Sequence, residues 1–387
     1  MNIAIIVGEN LLERSIMRSY RDAFIDLGHR VYVKSFAQGY TENDIISIID
    51  FKPDFVIFYG NIGILKATKG YLFRYMKIPV VCLYYDNLFF GLNPDFEEEM
   101  KNYPEYYYSF IWDEKFLKLY NDKGLPNGYK IMLALDKKNF YPMEKAYAKK
   151  SLSFVGSMPE DLSDFSTGNT ICDNFIDDVI KLKINNVDVP VLEICDYLYK
   201  EIDEYKLVER IYKNQENDFW RGIYLNIHVK GGTEYRKYVS SIIEDVDFYI
   251  YGKCNIVKNN VHIKDPVKYG EELCKIYNSH CINLNLSTFQ LETSVNNRPF
   301  DCFGSKNFLL SDYKKDMEII FPDHYKEVTF NNFQELGEKG EYYLTHDKER
   351  KEITEELYNI VINNHTYHHR SKYIIDCISD KLSKRNK

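Results

Sequence analysis

At 387 residues, with 45% hydrophobic and 28% charged side chains, the chain is long enough for two separately cored domains. Its net charge of -8 argues against a nucleic-acid binder, which would carry a basic face, while leaving room for a local basic groove that holds a phosphate. The eight cysteines form no CxxC and no Cys/His cluster of zinc spacing, and no apolar run approaches the roughly 18 residues that span a bilayer; the expectation is a soluble chain in a reducing cytoplasm.

MNIAIIVGEN turns polar too soon for a signal peptide. NIAIIVG (2–8) is β-branched, ends in glycine and predicts a buried strand. Residues 11–27 carry apolar positions at helical spacing, and Gly28 follows where a C-cap is wanted. RVYVKSF (30–36) completes a β-α-β start, so the sheet should be parallel. PDFVIFYG (53–60) and IPVVCLYYD (78–86) repeat the strand pattern. FIWDEKFLKLYNDKG (110–124) gives a strand end and a helix, and YKIMLALD (129–136) closes the set as a strand. The aromatic run YYYSF (106–110) reads as core or sheet edge rather than a sugar platform.

SLSFVGSM (151–158) restarts with a strand and a glycine turn. Residues 159 to about 220 lack strand signals and read as helical, DYLYKEIDEYKLVERIYK most clearly. GIYLNIHV fits helix or strand, and EYRKYVSSII predicts a helix. VDFYIYGK (246–253), NVHIKD (260–265), CINLNLS (281–287), FLLSD and VTF (328–330) predict strands, and helices follow from about 332. The basic tail KLSKRNK suits a solvated helix end, with at most weak contact to an anionic membrane. The expected organisation is two α/β domains, 1–145 and 146–345, facing across a cleft, then C-terminal helices, 346–387, packing back across both. In open parallel sheets, ligands collect at the carboxyl ends of the strands.

The stretch NNRPFDCFGSKNFLLSDY (296–313) places chemistry there. Asp301 has the geometry to accept two hydrogen bonds from a ribose diol, and equally suits a helix cap or a pair with Arg298. The Ser305–Lys306–Asn307 turn offers N–H groups and a cation to a phosphate, and Arg298 a bidentate contact. Asn283, Asn285, Ser287 and Thr288 ring the end of the preceding strand. Glu9 ends the first strand, a position that suits contact with acceptor or donor sugar, or a plain β-α turn; Asp86 closes a later strand and suits a general base for an acceptor hydroxyl, or a helix cap or acceptor-loop hydrogen bond. His365, His368 and His369 partly share a helical face, but no carboxylate lies at a metal-compatible spacing. GxGxxG and GxxxxGK[ST] loops are missing, which removes support for dinucleotide oxidoreduction and ATP hydrolysis.

NLNLS (283–287), RPFD (298–301), FGSKNFLLSD (303–312), YYLTHDKER (342–350) and HTYHHR (365–370) resemble successive segments of the CgeB-like glycosyltransferases, within the GT-B superfamily. FVGS (154–157), YYDN (84–87) and IMLALDKKNFYP (131–142) extend the resemblance upstream more loosely. Two departures stand out: Asp301 where that family has glutamate, and Lys306–Asn307 in place of its Gly-Gly. The resemblance implies a GT-B fold of two Rossmann-like doubly wound domains, with a helical segment after the first strand of the second domain and a C-terminal helix crossing between domains. It implies a nucleotide-sugar donor, UDP-linked, held by Gly156, Ser157, Asn285, Ser287, Arg298, Asp301, Ser305, Lys306 and Asn307. It implies metal-independent hexosyl or N-acetylhexosaminyl transfer to a cell-surface, spore, lipid-linked or protein acceptor such as flagellin, with Asp86 or Glu9 as base if the reaction inverts. A non-catalytic nucleotide-sugar or glycan binder, or an epimerase or phosphorylase on the same fold, is served by the same residues.

Overall fold

The computed structural model describes all residues except 37–38, 68–69, 89–91, 145–149, 159–164, 214–217 and 386–387. It divides into two compact units: Met1–Asp136 with His365–Lys387, and Lys137–Asn364.

In the first unit, β1 (Asn2–Val7), β2 (Arg30–Ser35), β3 (Phe55–Tyr59), β4 (Val80–Tyr84), β5 (Tyr107–Ile111) and β6 (Gly128–Lys130) form one parallel sheet in the order β2-β1-β3-β4-β5-β6. Strands β3, β4 and β5 are buried throughout, which is why they read as unbroken apolar runs. Helix α1 (Leu11–Asp26) is capped by Asn10, whose side chain accepts from the Leu12 and Glu13 amides. Its buried face is Ile16, Met17, Tyr20, Ala23 and Phe24, and Gly28 takes the left-handed position beyond its end at φ 86°.

The strand expected over 129–136 stops at Lys130. The reason lies in the C-terminal helix (Tyr367–Arg385), which packs along α1. Arg370 donates from Nε to the Met132 carbonyl at 2.9 Å and from Nη2 to the Leu133 carbonyl at 3.0 Å. The Leu135 amide donates to the His365 carbonyl at 2.8 Å. Groups that a further strand would have used are thus satisfied by the returning chain. Tyr367 completes the dock edge-on to Tyr20, their ring centroids 5.0 Å apart. The side chains of the KLSKRNK tail lie outside the described residues.

In the second unit, β7 (Ser151–Val155), β8 (Asp247–Tyr251), β9 (Val261–Lys264), β10 (Ile282–Asn285), β11 (Leu309–Asp312) and β12 (Thr329–Phe330) form a parallel sheet in the order β9-β8-β7-β10-β11-β12. Helices α2 (Thr170–Asn185), α3 (Val191–Glu201) and α4 (Asp218–Ile242) intervene between β7 and β8. The ambiguous GIYLNIHV is inside α4, where Ile223, Tyr224 and Ile227 recur at helical spacing on a buried face. Glu292 pins this insertion, accepting from the Leu192 amide at 3.1 Å and the Tyr224 hydroxyl at 2.6 Å. Helix α5 (Arg298–Gly304) connects β10 to β11.

Both sheets share one topological property. The first strand of each is internal, and the winding reverses beside it, between β1 and β3 and between β7 and β10. At such points the crossover connections leave on opposite sides, so the carboxyl ends of the two strands stay uncovered. No helix among the described residues is long and apolar enough to cross a membrane, and all eight cysteines are free.

Arg370→Met should therefore destabilise the protein by about 3 kcal/mol in urea unfolding, because it leaves buried carbonyls unpaired. His365 adds a pH dependence. Burial first, and the Arg370 cation second, hold its imidazole neutral and bring its pKa down to about 3. Unfolded histidine titrates near ~6.5, so the contribution is complete above that pH and is lost as pH falls towards the folded value. The melting temperature should decline below about pH 6.5, and His365→Asn should flatten that decline.

Candidate functional site

The second switch point collects most of the expected donor residues. Strand β7 runs from Val155 into Gly156 and Ser157, β10 ends at Asn285 before Leu286 and Ser287, and β11 ends at Asp312. Arg298, the first residue of α5, reaches back across the gap. Its Nη2 donates to the Val155 carbonyl at 2.8 Å and its Nη1 to Asn285 Oδ1 at 3.0 Å. Asn285 is oriented for this by donating to Ser311 Oγ at 2.9 Å. The Ser287 amide donates to Asp312 Oδ1 at 3.0 Å.

A second guanidinium arrives from α4. Arg236 Nη1 donates to the Ser157 carbonyl at 3.2 Å. Arg236 and Arg298 lie 5.5 and 5.7 Å from the centre of the Phe154 ring. Burial lowers the pKa of both; Arg236, further depressed by Arg298, comes down to about 10. Asp312 is a common opposing charge, yet among the described residues neither arginine forms an ion pair. Arg236 Nε, His228 Nδ1 and Ser287 Oγ are buried without a hydrogen-bond partner. Burial and the nearby Arg236 push the His228 pKa to about 4, so its imidazole is neutral.

Backbone approach is close here. A Cβ at Gly252 would strike the Gly156 carbonyl, and one at Gly156 would lie 2.7 Å from the Phe154 ring. Both glycines keep the β7 and β8 ends open.

The turn after α5 is placed elsewhere. It leads into the amino end of β11, the sheet edge opposite the one Arg298 reaches. The amides of Ser305, Lys306 and Asn307 donate to the carbonyls of Asp301, Phe303 and Cys302 at 3.0, 2.8 and 3.0 Å, closing the helix. Lys306, at φ 59°, pairs with Glu355 at 2.6 Å. Asp301 is fully buried, and its Oδ2 accepts from Tyr269 at 2.9 Å and Asn297 at 2.7 Å. A ribose reaches that oxygen only by displacing the Tyr269 hydroxyl. The structure therefore unites Gly156, Ser157, Asn285, Ser287 and Arg298, and does not bring Ser305, Lys306 and Asn307 to them.

The first switch point is acidic. Glu9 and Asp86 are both exposed at strand ends, and the Tyr59 hydroxyl donates to Asp86 Oδ2 at 3.0 Å. Glu13 is only 4% exposed and accepts from the Gly8 amide. Burial, and secondarily Asp86, raise its pKa. Past Tyr59, Asn61, Ile64, Tyr71, Asn93 and Phe96 line a cavity of about 430 Å³. The terminal histidines face different partners: His365 meets Arg370, His368 meets Asp26 and His369 meets Thr366.

Arg236, Phe154, Gly252 and Glu13 were the omissions. Arg236 is one cation in an amphipathic helix, with no local mark. Gly252 directly follows a strand, a signal of close backbone approach that was readable. Glu13 follows Asn10 at capping-box spacing, but its carboxylate turns to Gly8 rather than to the cap.

A family model described as glycosyl transferase-like matches residues 235–376. No curated protein matches the chain. Among solved structures, the DNA-modifying enzyme β-glucosyltransferase, with and without its substrate uridine diphosphoglucose, is similar over 99% of each chain at 13% identity and TM-score 0.51. TarM follows at 10% identity and TM-score 0.48, over 86% of this chain, which spans 57% of TarM's own length. The S. aureus MnaA–UDP complex has 10% identity and TM-score 0.45, over 99% of this chain and 97% of that one. The likeness to β-glucosyltransferase establishes the fold: the chain has the two-domain α/β GT-B architecture.

Gly252→Ala should destabilise the second unit by about 1–3 kcal/mol through the collision with Gly156. Gly222→Ala on α4, where a Cβ meets nothing within 4 Å, should instead raise stability by about 0.4–1 kcal/mol. Equal effects in thermal melts would remove the claim of close approach.

Proposed function

We propose that the protein is a glycosyltransferase that takes a sugar from a uridine-diphosphate donor bound at the β7/β10 switch point. One observation carries this reading. Two desolvated guanidinium groups converge on the strand ends without an ion pair, and one still has an unpartnered buried nitrogen. Isolated buried cations cost several kcal/mol, which an arriving diphosphate offsets with charge and acceptor oxygens. The glycosyltransferase-like match over 235–376, which includes Arg236 and Arg298, supports it. The uridine assignment leans on β-glucosyltransferase, whose substrate is uridine diphosphoglucose.

In this reading Gly156 and Ser157 admit the diphosphate to the backbone, Arg236 and Arg298 neutralise it, and Asn285 and Ser287 orient the phosphates and sugar. Asp301 takes the ribose in exchange for Tyr269, and Lys306 with its neighbours holds the helix that presents Asp301. Fixed cations aimed at the departing diphosphate stabilise the transition state without a metal. The first unit receives the acceptor, a hydroxyl on a surface glycan, a lipid-linked sugar or a protein. Asp86 is the proposed base, with Glu9 beside the same strand ends, and the transferred unit is a hexose or N-acetylhexosamine.

Thermal melts with uridine, UMP, UDP, UDP-glucose and UDP-N-acetylglucosamine, each with and without EDTA, test this. UDP should raise the melting temperature more than uridine, and EDTA should leave the shift in place. Arg236→Gln removes a charged contact worth about 1.5–3 kcal/mol and should weaken UDP binding by about 10- to 100-fold. A wild-type protein unmoved by every uridine ligand would end the reading.

A further inference from the structure

The amino edge of the second sheet, opposite the strand ends that Arg298 joins, carries an apolar groove. Leu152 near the start of β7, and Ile242 and Ile243 where α4 leads into β8, form one wall. Phe333, Leu336 and Leu344 of helix α6 (Phe333–Thr345) form the other, and the cavity between them measures about 500 Å³. A second cavity, of about 410 Å³, shares Asp245, Val246, Glu341 and Leu344 with it, so the two make one groove. From Phe333 to Leu344 the α6 wall is about 17 Å long, room for roughly three turns of another helix.

Two features of the groove serve no contact inside the second unit. The first is glycine. Gly337 and Gly340 stand three apart in α6, on one side of the helix. Glycine is unfavourable inside a helix, and a Cβ at either position would meet nothing within 4 Å. Alanine would therefore suit α6 better, whereas bare backbone lets a second helix come close. The second feature is charge. Glu244, Asp245 and Glu341 line the larger cavity, and no lysine or arginine does. Glu244 reaches Lys258 only at 3.8 Å. Asp245 and Glu341 are exposed and, among the described residues, form no ion pair. Lys150 lines only the second cavity. An apolar floor under an unneutralised acidic rim is complementary to an apolar stripe flanked by cations. The same rim repels nucleic acid and an anionic bilayer.

We propose that this groove docks a basic amphipathic helix of a partner protein. The partner's apolar stripe lies over Gly337 and Gly340, between α6 and the end of α4, and its lysines or arginines meet Asp245 and Glu341. This docking is independent of the transferase reading, because the groove and the proposed donor site occupy opposite edges of the same sheet.

The experiment is fluorescence anisotropy of a labelled leucine–lysine amphipathic peptide, about 12 residues long, and of its leucine–glutamate twin, each with the full chain. The lysine peptide should bind with a Kd of ~10 µM and the twin at least about 10-fold more weakly. Gly337→Leu, which fills the groove, should weaken the lysine peptide by about 10-fold or more. Asp245→Asn with Glu341→Gln should weaken it by about 3- to 10-fold without changing the melting temperature. Gly337→Ala should raise the melting temperature, since the helix gains and nothing is struck; a lower one would show that the glycine serves the fold and would overturn the proposal. If Gly337→Leu fails to fold, Ile242→Gln, at a position 37% exposed, is read in its place. Equal binding of the two peptides, or lysine-peptide binding that no variant weakens, also overturns it. So does tighter binding of phosphatidylserine vesicles than of the peptide, which makes the face a membrane contact. Self-association in sedimentation that Gly337→Leu abolishes overturns it too, because the occupant is then a second copy of the chain.

Discussion

The second unit depends on one contact, the bridge from Arg298 to the ends of β7 and β10. Parallel strands joined by crossovers on opposite faces leave a gap where the winding reverses. Arg298 closes it with bonds to the Val155 carbonyl and Asn285 Oδ1, so a cation takes the place of a backbone pairing the topology cannot supply. It does so from the first position of α5, where the partial positive charge of the helix end opposes it. Placing Arg236 over the same phenylalanine ring compounds the repulsion. A fold selected for stability alone would put a neutral donor there. Two guanidinium groups so placed suit the anion-receiving role proposed for them.

The two units show how little the winding fixes the chemistry. Both sheets have an internal first strand, a reversal beside it and a glycine just past its carboxyl end, Gly8 in one and Gly156 in the other. In the first unit that glycine admits the carboxylate of Glu13; in the second it keeps the strand end open beside Phe154. One reversal is thus acidic and the other basic. Such opposite polarity suits a proton acceptor at one and a phosphate receptor at the other, although the backbone plan is shared.

Much of this was legible because burial on both faces writes itself into the strands. FVIFY and VVCLY could hardly be anything else, and NLNLS with RPFD marked the end of β10 and the start of α5 in the right order. Local sequence is silent where distant partners decide. Lys130 ends a strand because Arg370, far along the chain, takes the next carbonyls. The Ser305–Lys306–Asn307 turn has the composition of a phosphate loop, yet its direction depends on a crossover that returns it to the amino edge of the sheet. Local sequence encodes which groups a turn offers; it does not encode which sheet edge receives them.

Arg236 shows the same limit at the site itself. It belongs to the helical insertion, not to the doubly wound core, and reaches Ser157 only because α4 is held in register. Glu292 supplies that hold from the loop after β10, binding the Leu192 amide at the start of α3 and the Tyr224 hydroxyl on α4. Lys314, just beyond β11, fixes the same loop by donating to the Leu291 carbonyl at 2.6 Å. The loop that leads to Arg298 and the helix that carries Arg236 are therefore joined through one buried glutamate. The pair of cations is a property of the loop and the insertion folded together, and a disturbance of either moves both.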